Sequence, residues 1–362
     1  MKRLVTASQP VLSFYDSCHS ISVMIEFHLQ NKKPQRKGIT YMNVSILENQ
    51  SPDVKINFVS TLQGKFNNAF ASLSEKSFEV DKFTGNAVAI SNDVKIEISN
   101  FLNFKFNVTV QRVFDIFILK LSAVLPHRRL KTDSEFKKFQ TVSISLREFM
   151  TLCNIKNKTR AIEQIRNALN LIGHTHVEFS DTIYNGKRKP ESEFLIFPLV
   201  IDLHYQKGSG IYSATFHISF LKHLANSFIM PFPLQAFAID LNRQSLAYFI
   251  CRRLALHHNM NYFKNNANVI SVKSIIDSVA LLPTHSEILQ GAGQVFLRII
   301  KPFENALNAL VNLNILSGWH YKDALENRFY NKWIQSSVVF TFNNFPVRNN
   351  IDKMNLNGDK TR

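Results

Sequence analysis

Apolar residues recur at steps of three and four in the stretch from Ser271 to Tyr321, which is the spacing of one face of an α-helix. This face carries Phe296, Ile300, Phe303, Leu307 and Leu310. Cationic and amide side chains follow the same rhythm on the opposite face, at Arg298, Lys301, Asn305, Asn308 and Asn312. Arg and Lys suit phosphate or guanine and Asn suits adenine, so the pattern predicts a helix that lies in a DNA major groove.

An ordinary amphipathic surface helix would show the same pattern, so a second occurrence matters more than the first. Asn157 and Thr159 open another predicted helix, whose apolar stripe is Ile162, Ile165, Leu169 and Ile172. Its polar positions include Arg160, Gln164 and Asn167. The neighbouring segments also correspond, since VSISLREFMTL resembles NVISVKSIIDSV and IRNALNLIGHTH resembles FENALNALVNLNILSGWH. A repeat that includes several predicted helices and strands indicates a duplicated domain.

Each copy has the order helix, strand, helix, helix and flanking strands, which is the order of a winged helix. In the first copy, Ser145 with Glu148 three residues later predicts a capping box at the start of a helix. A hairpin around Asn185-Gly186 is predicted to form the first wing, with the cationic run Lys187, Arg188 and Lys189 at its tip. At such a tip these three side chains are candidates for contact with phosphate or the minor groove.

Proline makes the second copy less regular. In a helix interior, Pro302 would clash with the carbonyl of Arg298, so the helix is expected either to kink there or to begin there. A helix that begins at Pro302 would place Arg298 in the preceding element. The positions Asn305, Asn308 and Asn312 share one helix in both cases.

The segments before residue 108 alternate or run apolar, which predicts strands. These segments are SISVMIEFHL, GITYMNVSIL, DVKINFVSTL and DVKIEIS. We therefore predict an α+β chain in which two tandem winged-helix domains follow a strand-rich N-terminal region. The predicted boundaries are 1–107 for the strand-rich region, 108–236 and 237–346 for the two winged helices, and 347–362 for a polar, mobile tail.

Composition adds a candidate partner. The 362 residues carry a formal net charge of +16, which favours a polyanion such as nucleic acid or an anionic membrane face. No apolar run approaches the length of a membrane span, and the first residues do not have the pattern of a signal peptide, so we expect a cytoplasmic protein without membrane contact.

Cys153 and Cys251 lie on apolar stripes, which predicts buried free thiols, and no cysteine spacing suggests a zinc site. No phosphate-binding loop occurs, so neither ATPase activity nor a cofactor is expected.

Four phrases carry a resemblance to a known family: GIYSATFHISFLKHLANSFIMPFP, ANVISVKSIIDSVALLP, THSEILQ and RIIKPFENALNAL. They resemble the plasmid replication initiator proteins of low-GC bacteria and their phage-borne relatives, over roughly Val108 to Pro346. The resemblance implies a non-enzymatic protein that binds repeated sites in double-stranded origin DNA and recruits host replication proteins such as a helicase or an initiator. It also implies that the second winged helix makes the main major-groove contacts and that the first one dimerises.

Two alternatives remain open on the sequence. A transcriptional repressor could use the same two domains. A metal-dependent rolling-circle nicking enzyme could use the pair His174 and His176 to hold a metal, and a tyrosine such as Tyr184 or Tyr248 as the nucleophile.

Overall fold

The structure is a computed structural model of the chain. It describes residues 58–183, 191–279, 281–283, 285–290, 294–323 and 330–346. The described residues all belong to one compact unit. The first two predicted strand segments, the cationic run Lys187, Arg188 and Lys189, and the predicted tail lie outside the described residues.

Thirteen strands and eleven α-helices are found in the described part of the chain. The strands are β1 (Phe58–Gln63), β2 (Glu79–Val80), β3 (Ala87–Ser91), β4 (Val94–Ile98), β5 (Thr141–Ser145), β6 (Thr175–Ile183), β7 (Glu191–Pro198), β8 (Val200–Gln206), β9 (Ile211–Phe216), β10 (Phe228–Pro233), β11 (Val269–Ser271), β12 (Leu316–Tyr321) and β13 (Ser337–Phe342). The helices are α1 (Lys65–Ala71), α2 (Val108–Val124), α3 (Asp133–Lys137), α4 (Leu146–Leu152), α5 (Lys158–Gly173), α6 (Ile218–Asn226), α7 (Ser245–Met260), α8 (Val272–Ile276), α9 (His285–Leu289), α10 (Lys301–Asn312) and α11 (Tyr330–Gln335).

The strands form four antiparallel sheets among the described residues. Their strand orders are β1-β10, β2-β3-β4-β6-β7, β5-β9-β8 and β11-β13-β12. The two three-stranded sheets each join one early strand to a later hairpin, as a winged helix requires. The prediction of an α+β chain with two tandem winged helices is therefore confirmed.

The first winged helix consists of α2, β5, α4, α5 and the hairpin β8–β9. Its helices begin at polar residues whose side chains accept hydrogen bonds from the first turn, which stabilises a helix start. Asn107 caps α2, Ser145 caps α4 and Asn157 caps α5. The face of α5 that contains Ile165 and Leu169 is buried, and this helix packs against α2.

Only half of the predicted capping box at the start of α4 forms. The Ser145 hydroxyl accepts a hydrogen bond from the backbone N–H of Glu148 at 3.1 Å. The Glu148 carboxylate does not return to Ser145; it pairs with the ammonium group of Lys120 on α2 at 2.6 Å. Lys120 is buried, and a buried cation needs an opposite charge more than the helix start needs a second cap.

The wing predicted from the Asn185-Gly186 turn is wrong. The flanking strands β6 and β7 belong to the five-stranded sheet, where Val177 of β6 pairs with Ile96 of β4. The hairpin of the three-stranded sheet is β8–β9, with residues 207–210 at its turn. Apolar alternation reveals that a strand exists, but it does not reveal which neighbour the strand pairs with.

The same pairing corrects the predicted boundary at residue 107. Because β4 and β6 are neighbours, strands from both sides of that residue share one sheet. In addition, β1 pairs with β10 over its whole length, from Phe58↔Pro233 to Gln63↔Phe228. The described strands before residue 108 are thus part of the framework around the first winged helix and do not form a separate domain.

The second winged helix consists of α7, β11, α8, α10 and the strands β12 and β13. Ser271 ends β11 and caps α8 by accepting a hydrogen bond from the N–H of Ser274. Ser145 occupies the same place between β5 and α4 in the first copy. The two corresponding junctions confirm the repeat that the sequence predicted.

Pro302 lies in the first turn of α10, but the helical path does not start there. Residues Phe296–Ile300 form a π-helical segment, and Ile300 and Lys301 both keep right-handed helical backbone angles. Pro302 has no N–H to donate, so the change of hydrogen-bonding pattern falls beside a position that lacks a backbone donor. Arg298 therefore lies on the π-helical segment, directly before the α-helix that carries the asparagines.

A buried ion pair joins the two winged helices. Asp115 on α2 accepts hydrogen bonds from the guanidinium group of Arg252 and, at 2.6 Å, from the hydroxyl of Tyr248, both on α7. The side chains of Arg252 and Asp115 are 8% and 9% exposed. The second nitrogen of the Arg252 fork donates to the Gln63 side chain and to the Asn67 carbonyl, each at 3.1 Å.

A second buried arginine, Arg112, lies on α2 one turn before Asp115. Arg112 donates to the backbone carbonyls of Phe237 and Ile239, both at 3.1 Å. These carbonyls belong to the segment that leads from the first winged helix into α7. Both the connection and the first helix of the second domain are thus fixed to α2 by charged hydrogen bonds, which are about twice as strong as neutral ones.

We predict that Arg252→Leu lowers the free energy of unfolding by about 3–5 kcal/mol, because it leaves the Asp115 carboxylate buried without its cation. Lys273→Ala is the matched control, since it removes the cation of the exposed pair Lys273–Asp277 and should cost less than about 1 kcal/mol. Urea unfolding monitored by circular dichroism measures both. Equal destabilisation by the two variants would contradict a structural role for the buried pair.

Candidate nucleic-acid interface

The polar face of α10 is exposed as the sequence predicted. Phe303, Leu307 and Leu310 are buried on one side of the helix. The exposed positions on the other side are Lys301, Asn305, Asn308 and Asn312, and Arg298 is exposed just before them. These cationic and amide groups can approach a polyanion. Phe296, predicted on the buried apolar face, is instead 38% exposed beside Arg298, as is Leu297 at 55%.

Asn308 is held in place by the neighbouring sheet. Its Oδ1 accepts a hydrogen bond of 2.9 Å from the indole Nε1–H of Trp319 on β12. An indole nitrogen can only donate, so the bond also fixes which end of the Asn308 amide faces the sheet. The amide NH2 group, with its two donors, is therefore free to face solvent.

A second contact ties α10 to the sheet one turn earlier. The carboxylate of Glu304 accepts a hydrogen bond of 3.2 Å from the hydroxyl of Tyr321. That hydroxyl in turn accepts a hydrogen bond of 2.8 Å from the indole of the buried Trp333. Glu304 and Asn308 are four residues apart and share one side of the helix, so the sheet sets the rotation of α10 about its axis.

Asn305 and Asn312, unlike Asn308, are not held by a side-chain hydrogen bond within the described part of the chain. Both ends of each amide, one acceptor and one pair of donors, remain available to a ligand.

The equivalent helix of the first domain, α5, confirms only part of the predicted face. Arg160 and Asn167 are exposed. Gln164 is half-buried, and its Oε1 accepts a hydrogen bond of 3.2 Å from the buried Arg112. Gln164 therefore supports the interior arginine, and the structure does not bring it to the surface with the other two.

Arg166 is a residue that the sequence did not single out. Its guanidinium group lies 5.0 Å from the ring centre of Tyr205 on β8, and Tyr205 stacks on Tyr212 of β9 with ring centres 4.5 Å apart. This cation–π contact connects the exposed side of α5 to the wing. Arg166 lies off the apolar stripe of the helix, but its aromatic partner is 39 residues further along the chain and gives no local signal.

Among the described residues of the nicking alternative, Tyr248 is not accessible as a nucleophile. Tyr248 is fully buried and donates to Asp115, and burial holds the pKa of its phenol well above the usual range. His174 ends α5, where its Nδ1 lies 2.7 Å from the Asn170 carbonyl, whereas His176 is exposed on β6. Tyr184 lies outside the described residues. Among the described residues, no group of three or more His, Cys, Asp or Glu side chains is placed to hold a metal ion.

The two described thiols are buried and free, as predicted. Burial raises the pKa of Cys153 to about 11 and that of Cys251 further, so neither forms a thiolate near neutral pH. No helix in the described ranges is long and apolar enough to cross a lipid bilayer.

Residues 95–230 match the family described as Initiator Replication protein, WH1. This part of the chain is similar to the replication-initiator family. The match runs from β4 to β10 and so includes the whole first winged helix of the initiator. The function predicted from the sequence, a DNA-binding replication initiator, is confirmed at the level of this family. No curated protein matches the chain.

Two solved structures are similar in outline to the initiator. The crystal structure of Pi initiator protein in complex with iteron DNA has a TM-score of 0.46 and 12% identity, and the alignment covers 80% of this chain and 98% of that one. The crystal structure of the RctB domains 2-3 has a TM-score of 0.41 and 13% identity, with 77% and 97% covered. TM-scores below 0.5 at such identities do not support a conclusion about binding.

We predict that Asn308→Ala moves one indole N–H signal in a nitrogen–proton NMR spectrum and leaves the other in place. The chain has 2 tryptophans, and only Trp319 donates to Asn308, while Trp333 donates to Tyr321. Asn305→Ala is the matched control, because Asn305 contacts neither indole. Unchanged indole signals in Asn308→Ala would show that the contact with Trp319 is absent in solution.

Proposed function

We propose that the initiator binds double-stranded DNA with the exposed face of α10 in a major groove and with α5 at a second position on the duplex. The observation that carries this proposal is the outward face of α10, where Lys301, Asn305 and Asn312 are exposed while the sheet fixes the helix through Asn308 and Glu304. A preorganised helix loses little conformational freedom when it binds. The formal net charge of +16 supports a polyanionic partner.

The amide groups of α10 are suited to base edges in two different ways. Asn305 can offer its acceptor and its donors together, which matches N6 and N7 of adenine. Asn308 presents donors outward because Trp319 occupies its oxygen, so it suits the acceptors of a base edge, such as a purine N7 or guanine O6. Arg298 and Lys301 suit guanine or phosphate.

The first domain is suited to position the duplex. Arg160 is exposed in the first turn of α5, where the helix N-terminus also attracts phosphate. Asn167 lies two turns further along the same helix. Contacts to phosphate set the register and orientation of a protein on DNA, whereas contacts to bases set the sequence preference. We assign the first role mainly to α5 and the second mainly to α10, and Lys187, Arg188 and Lys189 stay candidates for phosphate contact.

We also propose that the initiator forms a homodimer through the edge of its five-stranded sheet. β7 is an outer strand of that sheet, and its Phe194 and Ile196 side chains are 60% and 66% exposed on one face. Exposed apolar edge strands tend to pair with another chain. Binding to repeated origin sites, recruitment of host replication proteins and a cytoplasmic location belong to the same proposal, and the match of residues 95–230 to the initiator family supports them.

The initiator is proposed to act without catalytic chemistry of its own. The alternative function is that of a transcriptional repressor with the same domains, which would bind a promoter with the same helices. A plasmid that carries the protein's binding site separates the two roles. Replication of that plasmid depends on the protein if the protein is an initiator, and does not if it is a repressor.

We predict that Asn305→Ala loses about 1–3 kcal/mol of discrimination at one A·T pair and keeps its fold, because the adenine edge loses its amide partner. Affinity is measured on a duplex obtained by selection from random sequence and on its single-base variants. Asn170→Ala, an exposed asparagine on α5, is the matched control. A wild-type preference at every base pair in Asn305→Ala would contradict base reading by α10.

We further predict that affinity for the selected duplex falls steeply with salt. The logarithm of the binding constant should fall linearly with the logarithm of the salt concentration, with a slope that reflects the number of phosphates neutralised. Lys301→Ala should weaken all duplexes alike and reduce the slope by about 1 if Lys301 contacts phosphate. A titration between about 50 mM and 200 mM salt measures this. Affinity that is independent of salt would rule out an electrostatic DNA interface.

A further inference from the structure

The first winged helix contains an open groove of about 790 Å³ beside its wing. The groove lies between α4, the first half of α5 and the turn that joins β8 to β9. Its floor is apolar and consists of Leu146, Met150, Ile155 and Ile162. Except for Leu146, these side chains are only half-buried, so apolar surface remains open to solvent.

Three exposed cations surround this floor. Arg147 belongs to α4, Lys158 to the start of α5 and Lys207 to the β8–β9 turn. None of them forms an ion pair with a carboxylate within the described part of the chain. The groove therefore combines an apolar floor with a cationic rim that has no internal counter-charge.

The walls of the groove are held together before any ligand binds. The N–H of Leu146 donates to the carbonyl of Gly210 at 2.8 Å, which fixes the wing turn against the start of α4. On the other side, Arg166 of α5 lies over the ring of Tyr205, which also lines the groove. A groove with fixed walls binds with less loss of conformational entropy than a flexible one.

We propose that this groove binds an acidic, amphipathic segment of a partner protein. Such a segment would place its apolar side chains on Met150, Ile155 and Ile162 and its carboxylates beside Arg147, Lys158 and Lys207. Amphipathic helices bind apolar grooves of other proteins in this way, through side chains spaced three and four residues apart. A phosphate backbone would use the three cations but would gain nothing from the apolar floor.

The charges of the chain itself favour an external partner. The sequence before residue 58 and the sequence after residue 346 each contain more Lys and Arg than Asp and Glu. Neither segment complements a cationic rim. These charges favour an occupant from another protein, and this inference goes beyond the DNA binding proposed above.

The test uses a fluorescent peptide of 14 residues that has leucines at helical spacing and glutamates at most other positions. A second peptide has the same composition with the leucines dispersed. Fluorescence anisotropy measures the affinity of the full-length initiator for each peptide, and the affinity for the selected duplex is measured in parallel. Three variants are compared with the wild type: Met150→Ser, Lys207→Glu and, as a matched charge control far from the groove, Lys82→Glu.

We expect saturable binding of the amphipathic peptide and roughly tenfold weaker binding of the dispersed one. Met150→Ser and Lys207→Glu should each weaken the amphipathic peptide by about tenfold, and Lys82→Glu should leave it unchanged. Met150→Ser should keep its thermal unfolding midpoint within a few degrees and should still bind the duplex. That last result separates the groove from the DNA interface.

Three results would overturn the proposal. The first is no saturable binding of the amphipathic peptide by the wild type up to about 1 mM, the weak limit for specific binding. The second is equal affinity for the two peptides, which would mean charge attraction alone. The third is a peptide affinity that Met150→Ser does not change while the duplex displaces the peptide, which would assign the groove to phosphate.

Discussion

The carboxylate of Asp115 and the guanidinium group of Arg252 form the contact on which the arrangement of the two winged helices depends. One group lies on α2 of the first winged helix and the other on α7 of the second, and both are nearly removed from solvent. A buried pair of this kind adds little stability compared with apolar packing, but it is costly to break and it allows few alternative arrangements. Together with the Arg112 contacts to the Phe237 and Ile239 carbonyls, it fixes the second domain to the first.

This constraint reaches the candidate DNA interface through packed helices. α2 packs against α5, and α7 packs against α10, so each helix with an exposed polar face rests on one of the helices that carry the ion pair. The contacts of Asn308 with Trp319 and of Glu304 with Tyr321 then set the rotation of α10. The exposed side chains are thus placed by two levels of structure, one between domains and one within the second domain.

Much of this arrangement was predictable from the sequence, because a helix sets its buried and exposed sides by local spacing. The buried Phe303 and Leu307 and the exposed Asn305 follow from that spacing alone. The order of elements in the two copies followed from the serine caps and the apolar strands. Contacts between distant residues were not predictable: Gln164 is drawn inward by Arg112, which lies 52 residues earlier, and Trp319 reaches Asn308 from another element.

The mistaken wing has the same physical origin. β6 and β7 alternate as well as β8 and β9 do, and only the presence of β4 beside β6 assigns the first hairpin to the five-stranded sheet. Strand pairing is a long-range choice that the alternation of one hairpin does not encode. The turn that belongs to the wing is therefore 207–210, which the alternation of the strands did not identify.

Photocrosslinking tests the central claim, that both α5 and α10 contact one duplex, most directly. A photoreactive amino acid is placed at Asn167 on α5, at Asn305 on α10 and, as a control, at the fully exposed Phe83 near β2. The crosslinked nucleotides are then mapped on the selected duplex. We expect crosslinks from Asn167 and Asn305 at two separate segments of that duplex and none from Phe83. Crosslinking from neither helix, or from Phe83 as readily as from Asn305, would contradict it.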